Sequence, residues 1–283
     1  MARSFPIPEP LPLAEQRGQQ YPSLVALMQR LLAPGGCPWD REQTMESLRK
    51  YVLEEACEVI DAIDSGDREH LCEELGDLSL QVVFLAELGR AEGKFGPDDV
   101  TRGIVEKLVR RHPHVFGDET ASSSEEVLKN WERIKLEEKR DRAVLDGVAR
   151  SLPALYRAQR MSDKVSRVGF DWPDGRGSRA KVDEELREVD EATQGDDKTR
   201  VEAEIGDLLF AVVNWSRHLG VDAETALRGA CDRFSSRFGH VERRVKAVHG
   251  GWPRSEDGSP SRGIELEEMD SYWAEAKRSE QNG

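Results

Sequence analysis

Cysteine is scarce and unpatterned in this chain. The 283 residues hold four, Cys37, Cys57, Cys72 and Cys231. None forms a CxxC pair, so neither a disulfide scaffold nor a thiolate zinc site is indicated, and a reducing cytoplasm is the expected location. Positive charge is in deficit, with 41 Lys and Arg against 55 Asp and Glu and a formal net charge of −14. Nucleic acid is therefore not expected as a partner, because a phosphate backbone calls for a basic face. Apolar residues make up 37% of the chain, which is lean for a globular protein. No apolar run approaches the roughly 18 residues of a membrane span, so no membrane partner is expected. The first 20 residues, MARSFPIPEPLPLAEQRGQQ, lack the apolar core of a signal peptide and are expected to form a disordered arm. Also missing are a P-loop, a nucleophile elbow and a Gly-rich dinucleotide turn. The six histidines show no zinc-like spacing, and His112-Pro113-His114 suggests a loop.

What the chain does contain is a repeat. Glu55, Glu58, Glu74 and Asp77 recur as Glu185, Glu188, Glu204 and Asp207 at one offset of 130 residues, and Gly76 recurs as Gly206. The likeness extends outward through CPWD (37–40) and FDWPD (170–174). Lys107 and Arg111 parallel Arg233 and Arg237, and Trp131 and Lys135 parallel Trp273 and Lys277, each pair four residues apart. Self-similarity at this scale implies duplicated structural units. Two domains are expected, at 21–140 and 153–279, joined by a linker at 141–152.

The apolar spacing is helical throughout. Leu48, Val52, Ala56, Val59, Ile60 and Ile63 mark one helix, and Ser65-Gly66-Asp67 breaks it before another begins near Arg68. No strand-type alternation occurs, so the expected class is all-α, a tandem pair of helical bundles. Acids three residues apart share a helix face. Glu55 and Glu58 project from one helix, and Glu74 and Asp77 from the next. A short turn makes those helices antiparallel neighbours, so four carboxylates should converge, and four more in the second copy. Such a group repels itself unless a hard cation intervenes. A single acidic helix face is ordinarily just solvated. Two such pairs in order, duplicated in register, point instead to metal binding. The arginine and lysine pairs could neutralise phosphate. Trp131 and Trp273 could stack on a base or seal a core. A di-iron bundle would need Glu-x-x-His, which is absent.

These segments resemble the MazG family of nucleoside triphosphate pyrophosphohydrolases, in its long two-domain bacterial form. The resemblance is carried by GGCPWDREQT (35–44), LEEACEV (53–59), EELGDL (73–78), RRHPHVFGD (110–118), RSLPAL (150–155), VGFDW (168–172) and EIGDLLFAVVN (204–214). It implies tandem all-α MazG-like domains, a homodimer, and Mg²⁺ with Mn²⁺ as a substitute. It also implies cleavage of nucleoside triphosphates to monophosphate and pyrophosphate, as nucleotide-pool house-cleaning. The implied metal ligands and catalytic acids are Glu185, Glu188, Glu204 and Asp207, with Glu55, Glu58, Glu74 and Asp77 as the matching metal set. Implied nucleotide contacts are Lys181, Glu184, Arg200, Arg233, Arg237, Trp273 and Lys277. Lys107, Arg111, Trp131 and Lys135 are their possible first-copy equivalents. Arg233 stands where relatives commonly carry lysine, and Tyr51 stands where the second copy has Lys181. The alternative is a non-catalytic regulatory scaffold that binds nucleotide.

Overall fold

The structure is a computed structural model that describes residues 21–138, 143–253 and 263–281, with the side chains of residues 129, 132, 135–138 and 281 outside that description. The N-terminal arm and the Lys135 side chain therefore lie outside the described residues. Those described are helical, with no strand among them. The chain divides into two compact units, Met1–Arg140 and Asp141–Gly283.

The first unit contains α1 (Tyr21–Leu32), α2 (Pro38–Glu42), α3 (Met45–Ser65), α4 (Arg68–Ala91), α5 (Pro97–Arg111), α6 (Pro113–Phe116) and α7 (Ser124–Glu138). The second contains α8 (Ala154–Ser166), α9 (Gly175–Ala192), α10 (Lys198–His218), α11 (Ala223–His249) and α12 (Leu266–Gln281).

Local chemistry fixes the hairpins that matter. Thr44 starts α3: its hydroxyl accepts the Ser47 N–H at 3.1 Å, and Ser47 Oγ accepts the Thr44 N–H at 2.9 Å. Gly66, at φ 75°, ends α3 in the left-handed conformation that glycine adopts without steric cost. One residue later the Asp67 carboxylate accepts the N–H groups of Glu69 and His70, both at 3.0 Å, and starts α4. Asp197 does the same for α10, accepting from Thr199 at 3.0 Å and Arg200 at 3.2 Å. These abrupt reversals lay α3 along α4, and α9 along α10, as the most extensive helix pairs of their units.

The cores differ. In the first unit Met28, Leu48, Val83 and Phe84 form a buried cluster, with Leu24, Leu31 and Tyr51 packed against it. Burying each such side chain contributes roughly 1.5–3 kcal/mol. In the second unit the main buried apolar cluster lies between α11 and α12, at Val241, Val245 and Tyr272. Two expectations need adjusting. Pro113 opens the short helix α6 where a loop was expected, because a proline at the first helical position sacrifices no hydrogen bond. The segment read as a linker is not a bare tether from residue 143 onward. Lys164 Nζ donates to the carbonyls of Val144 (3.4 Å) and Asp146, and Leu145 lines a cavity of the second unit.

Candidate functional site

In the second unit α9 contributes Glu185 and Glu188, and α10 contributes Glu204. One carboxylate oxygen from each lies within 4.8 Å of the others. Glu185 is buried. Its Oε1 receives Lys181 Nζ at 2.6 Å, and the same ammonium reaches Glu184 Oε1 at 2.8 Å. Hydrogen bonds to Glu184 and Glu185 hold the Lys181 ammonium well above the usual lysine range, and that ammonium lowers Glu184. Glu185 Oε2 is buried with no hydrogen-bond donor. Desolvation pushes the Glu188 carboxyl upward. Its contact with Glu185 and the charge of Glu204 push the same way, while Lys181 pulls back. Arg200 Nε stands 3.7 Å from Glu204 Oε1. Asp207 is not part of this close group, but it lines the same cavity as Glu185 and Lys181.

The first unit repeats the arrangement with Glu55 and Glu58 from α3 and Glu74 from α4, again within 4.8 Å. Desolvation raises the Glu55 carboxyl, and the charges of Asp77, Glu58 and Glu74 add to it, while a hydrogen bond from Gln81 restrains the rise. Desolvation and Glu58 raise Glu74, opposed by His70, whose Nδ1 lies 3.2 Å away. His70 is the register partner of Arg200. Tyr51, the register partner of Lys181, offers no ammonium. It packs against the core and meets the Trp39 ring edge-on at 5.8 Å.

A cavity of about 380 Å³ adjoins the second acid group, within the range of small-molecule sites. Polar side chains line it at Ser162, Ser178 and Asn214, and Phe170 and Trp172 stand at it from the loop before α9. Ser162, Ser178 and Asn214 are all buried. Asn214 Oδ1 accepts from Arg217 Nε at 2.9 Å. Arg217 in turn binds Asp171 at 2.6 Å, and His218 Nε2 lies 3.0 Å from the same carboxylate oxygen. Partial burial pushes Asp171 up, but the hydrogen bonds and charges of Arg217 and His218 prevail and hold it below its ordinary value. This anchor ties the loop to the end of α10. Gly177 is required here: a Cβ at that position would lie 2.2 Å from Trp172 Cδ1.

The offset of 130 explains the cavity. Leu48, Gln81 and Phe84 of the first unit correspond to Ser178, Ala211 and Asn214 of the second. Two of the larger set, Leu48 and Phe84, are core residues, and Gln81 bonds Glu55. Their smaller counterparts all line open space. None of them belongs to an acidic or basic motif, so sequence reasoning passed over them. The available signal was polarity or small size at positions where the other copy is large.

The remaining basic candidates gather elsewhere. Arg237 makes a forked pair with Glu280, Nε to both carboxylate oxygens at 3.1 Å and Nη2 to Oε2 at 2.7 Å. Arg233 and Lys277 add their charges to that carboxylate and help lower it. Trp273 packs beside Phe234, centroids 5.1 Å apart, with the Arg237 guanidinium 5.7 Å from its ring. The fold thus unites this set on α11 and α12, and among the described residues no ion pair joins it to the acids. In the first unit Lys107 and Arg111 lie on α5, and Trp131 on α7 packs edge-on against His112 at 5.0 Å.

Three hard oxygen donors within 4.8 Å of one another, one with a buried oxygen lacking a donor, fit a divalent cation that prefers oxygen. Among the described residues, no helix is long and apolar enough to cross a membrane. The family model described as the MazG nucleotide pyrophosphohydrolase domain matches residues 43–116 and 177–242, one span in each unit. The chain is 47% identical over 267 residues to the nucleoside triphosphate pyrophosphohydrolase of Escherichia coli (strain K12), covering 92% of this chain and 98% of that protein. It is 43% identical over 265 residues to the nucleoside triphosphate pyrophosphohydrolase/pyrophosphatase MazG of Thermotoga maritima, covering 93% and 98%. It is also 40% identical over 264 residues to the uncharacterized protein YabN of Bacillus subtilis (strain 168), covering 92% of this chain and 52% of that protein.

Proposed function

The chain belongs to the MazG nucleotide pyrophosphohydrolase family, and on that premise we infer that it hydrolyses nucleoside triphosphates to monophosphate and pyrophosphate at the acid cluster of its second unit. The observation that carries the placement is the conjunction of Glu185, Glu188 and Glu204 with an open cavity and a lysine on one helix face.

Glu185, Glu188, Glu204 and Asp207 would hold Mg²⁺, or Mn²⁺ in its place. The bound cation would supply charge neutralisation and polarisation at the α-phosphate. The protein side of the chemistry is positioning and electrostatics. Desolvation and the neighbouring Glu185 and Glu204 raise the Glu188 carboxyl, and a cation held by the cluster would offset that repulsion. Lys181 bridges Glu184 and Glu185 here. It would exchange that contact for a phosphate oxygen of the substrate. Arg200 stands at the α10 end of the cluster as a second phosphate partner. Arg233, Arg237 and Lys277 would steady the leaving pyrophosphate, beside Trp273.

A homodimer completes this reading. Leu186, Leu209, Phe210, Leu227, Phe234 and Phe238 of the second unit are exposed apolar residues. A second copy would cover such surface more cheaply than water. The working location is the cytoplasm, and the role is house-cleaning of the nucleotide pool.

Product chromatography tests the activity. Nucleoside monophosphate and pyrophosphate should appear together, dependent on added Mg²⁺. Nucleoside diphosphate and orthophosphate as first products would refute it.

A further inference from the structure

We propose that Glu280 is a built-in competitor for the leaving pyrophosphate: its carboxylate holds Arg237, beside Arg233 and Lys277, in the free protein and yields that set when a polyphosphate arrives. The proposal deepens the hydrolysis reading above and rests on it. Geometry comes first. Arg237 presents a fork to Glu280, with Nε 3.1 Å from both carboxylate oxygens and Nη2 2.7 Å from Oε2. A guanidinium fork fits a phosphate group as it fits a carboxylate, so the donors that an incoming phosphate needs are already taken. Trp273 stands at the same place, with the Arg237 guanidinium 5.7 Å from its ring. Charge comes next. Hydrogen bonds from Arg237 lower the Glu280 carboxyl against desolvation, and the charges of Arg237, Arg233 and Lys277 add to the lowering. One carboxylate does not neutralise that set. A diphosphate group carries more negative charge and displaces it.

The pair is open to exchange. The Glu280 side chain is 37% exposed, and an ion pair with that access to water contributes little to holding a fold. Local helix chemistry does not ask for an acid here. α12 ends at Gln281, and a carboxylate in the last turn faces the negative end of the helix dipole. The spacing is nevertheless repeated: Trp273, Lys277 and Glu280 match Trp131, Lys135 and Glu138 in the sequence of the first copy. An acid unfavourable to its own helix, present in both copies three positions after the lysine, points to a role in anion exchange. The carboxylate refills the fork as pyrophosphate departs, which weakens the hold on the product.

The test is calorimetric binding of inorganic pyrophosphate to the full-length protein without metal, where the acid cluster repels an anion and the basic set is left to bind it. Glu280→Gln should bind pyrophosphate at least about threefold tighter than wild type, the scale of removing one exposed charge pair. Glu267→Gln removes the same charge from the first turn of the same helix and should leave the affinity as it is. Arg237→Met added to Glu280→Gln should cancel the gain. In Mg²⁺, pyrophosphate should inhibit hydrolysis by Glu280→Gln at a lower concentration than it inhibits wild type. If Glu280 only pinned α12 to α11, the variant would melt lower and bind pyrophosphate no tighter. Binding no tighter in Glu280→Gln, an equal gain in Glu267→Gln, a gain that survives the loss of Arg237, or unchanged inhibition would each overturn the proposal. The hydrolysis reading fails separately, if wild type releases no pyrophosphate from any nucleoside triphosphate in Mg²⁺, and the binding comparison then still decides whether Glu280 competes with the anion.

Discussion

The two units carry the same three glutamates at the same spacing on the same helix hairpin, yet different side chains surround them. In the second, Lys181 sits on Glu185 and Arg200 faces Glu204. In the first, those places belong to Tyr51 and His70. Beside the second cluster there is a cavity, and at the matching place in the first there is packed core. A duplicated unit has two demands on its interior, to be stable and to admit a ligand. Large apolar residues at positions 48 and 84 serve the first demand. Small and polar residues at 178, 211 and 214 serve the second. The stability that a filled core would supply must then come from another place, and in the second unit much of the apolar burial lies at the α11–α12 pair. A motif search sees the shared acids and judges the copies equal. The surroundings make them unequal.

The sharpest way to break this comparison is to neutralise the second cluster. Glu185→Gln, Glu188→Gln or Glu204→Gln should each lower kcat/KM by about 10²-fold or more, the scale of losing one preorganised charge contact. Steady-state pyrophosphate release measures it, and a loss under tenfold would show that the cluster is not the catalytic site.

Thermal melts give the next effect. A cation that binds the folded cluster and not the unfolded chain, at a hundredfold excess over its dissociation constant, should add roughly 2.7 kcal/mol per independent site. Asp207→Asn should lose most of the second unit's share in millimolar Mg²⁺. In EDTA it should melt at or above wild type, because one repelling charge has gone. If the variant melts lower in EDTA and keeps the full Mg²⁺ shift, Asp207 is no ligand.

Lys181→Tyr makes the second unit resemble the first. It should lower kcat/KM by about tenfold, in line with one charge-assisted phosphate contact, and an unchanged value would show that the lysine only pairs with its neighbours. The smallest effect concerns the loop anchor. Asp171 has a lowered folded-state value, so its stabilisation is present above the unfolded carboxylate value near 4 and is lost as pH falls through the folded one. Asp171→Asn should therefore melt below wild type at pH 7, and the difference should shrink below about pH 4. A difference independent of pH would mean that the carboxylate charge is immaterial.

Much of this arrangement is readable from sequence. Ser65-Gly66-Asp67 encodes a left-handed helix end followed by an aspartate cap, and that local chemistry places Glu74 opposite Glu55 without help from the rest of the fold. The triads follow from helical spacing together with the turn that reverses the chain. Asp207 illustrates the limit: its face was legible, but its distance from the triad depends on side-chain rotamers and on charges that repel when no cation is bound. The grouping of Arg233, Arg237 and Lys277 around Glu280 was not legible either, because it depends on how α12 packs against α11. The cavity was hidden for a different reason. Ser178, Ala211 and Asn214 are unremarkable residues singly, and their meaning appears only when each is set beside its larger counterpart. Trp172 needs the close approach that Gly177 allows, a tertiary fact with no local signature.

The central claim is that catalysis belongs to the second copy. The most direct test is pyrophosphate release, in Mg²⁺, by the full-length chain carrying Glu55→Gln, Glu58→Gln and Glu74→Gln together, compared with the chain carrying the same changes at Glu185, Glu188 and Glu204. The account predicts that the first protein still releases monophosphate and pyrophosphate at close to the wild-type rate and that the second is inactive. Equal loss in both, or activity that survives only in the second, would contradict it.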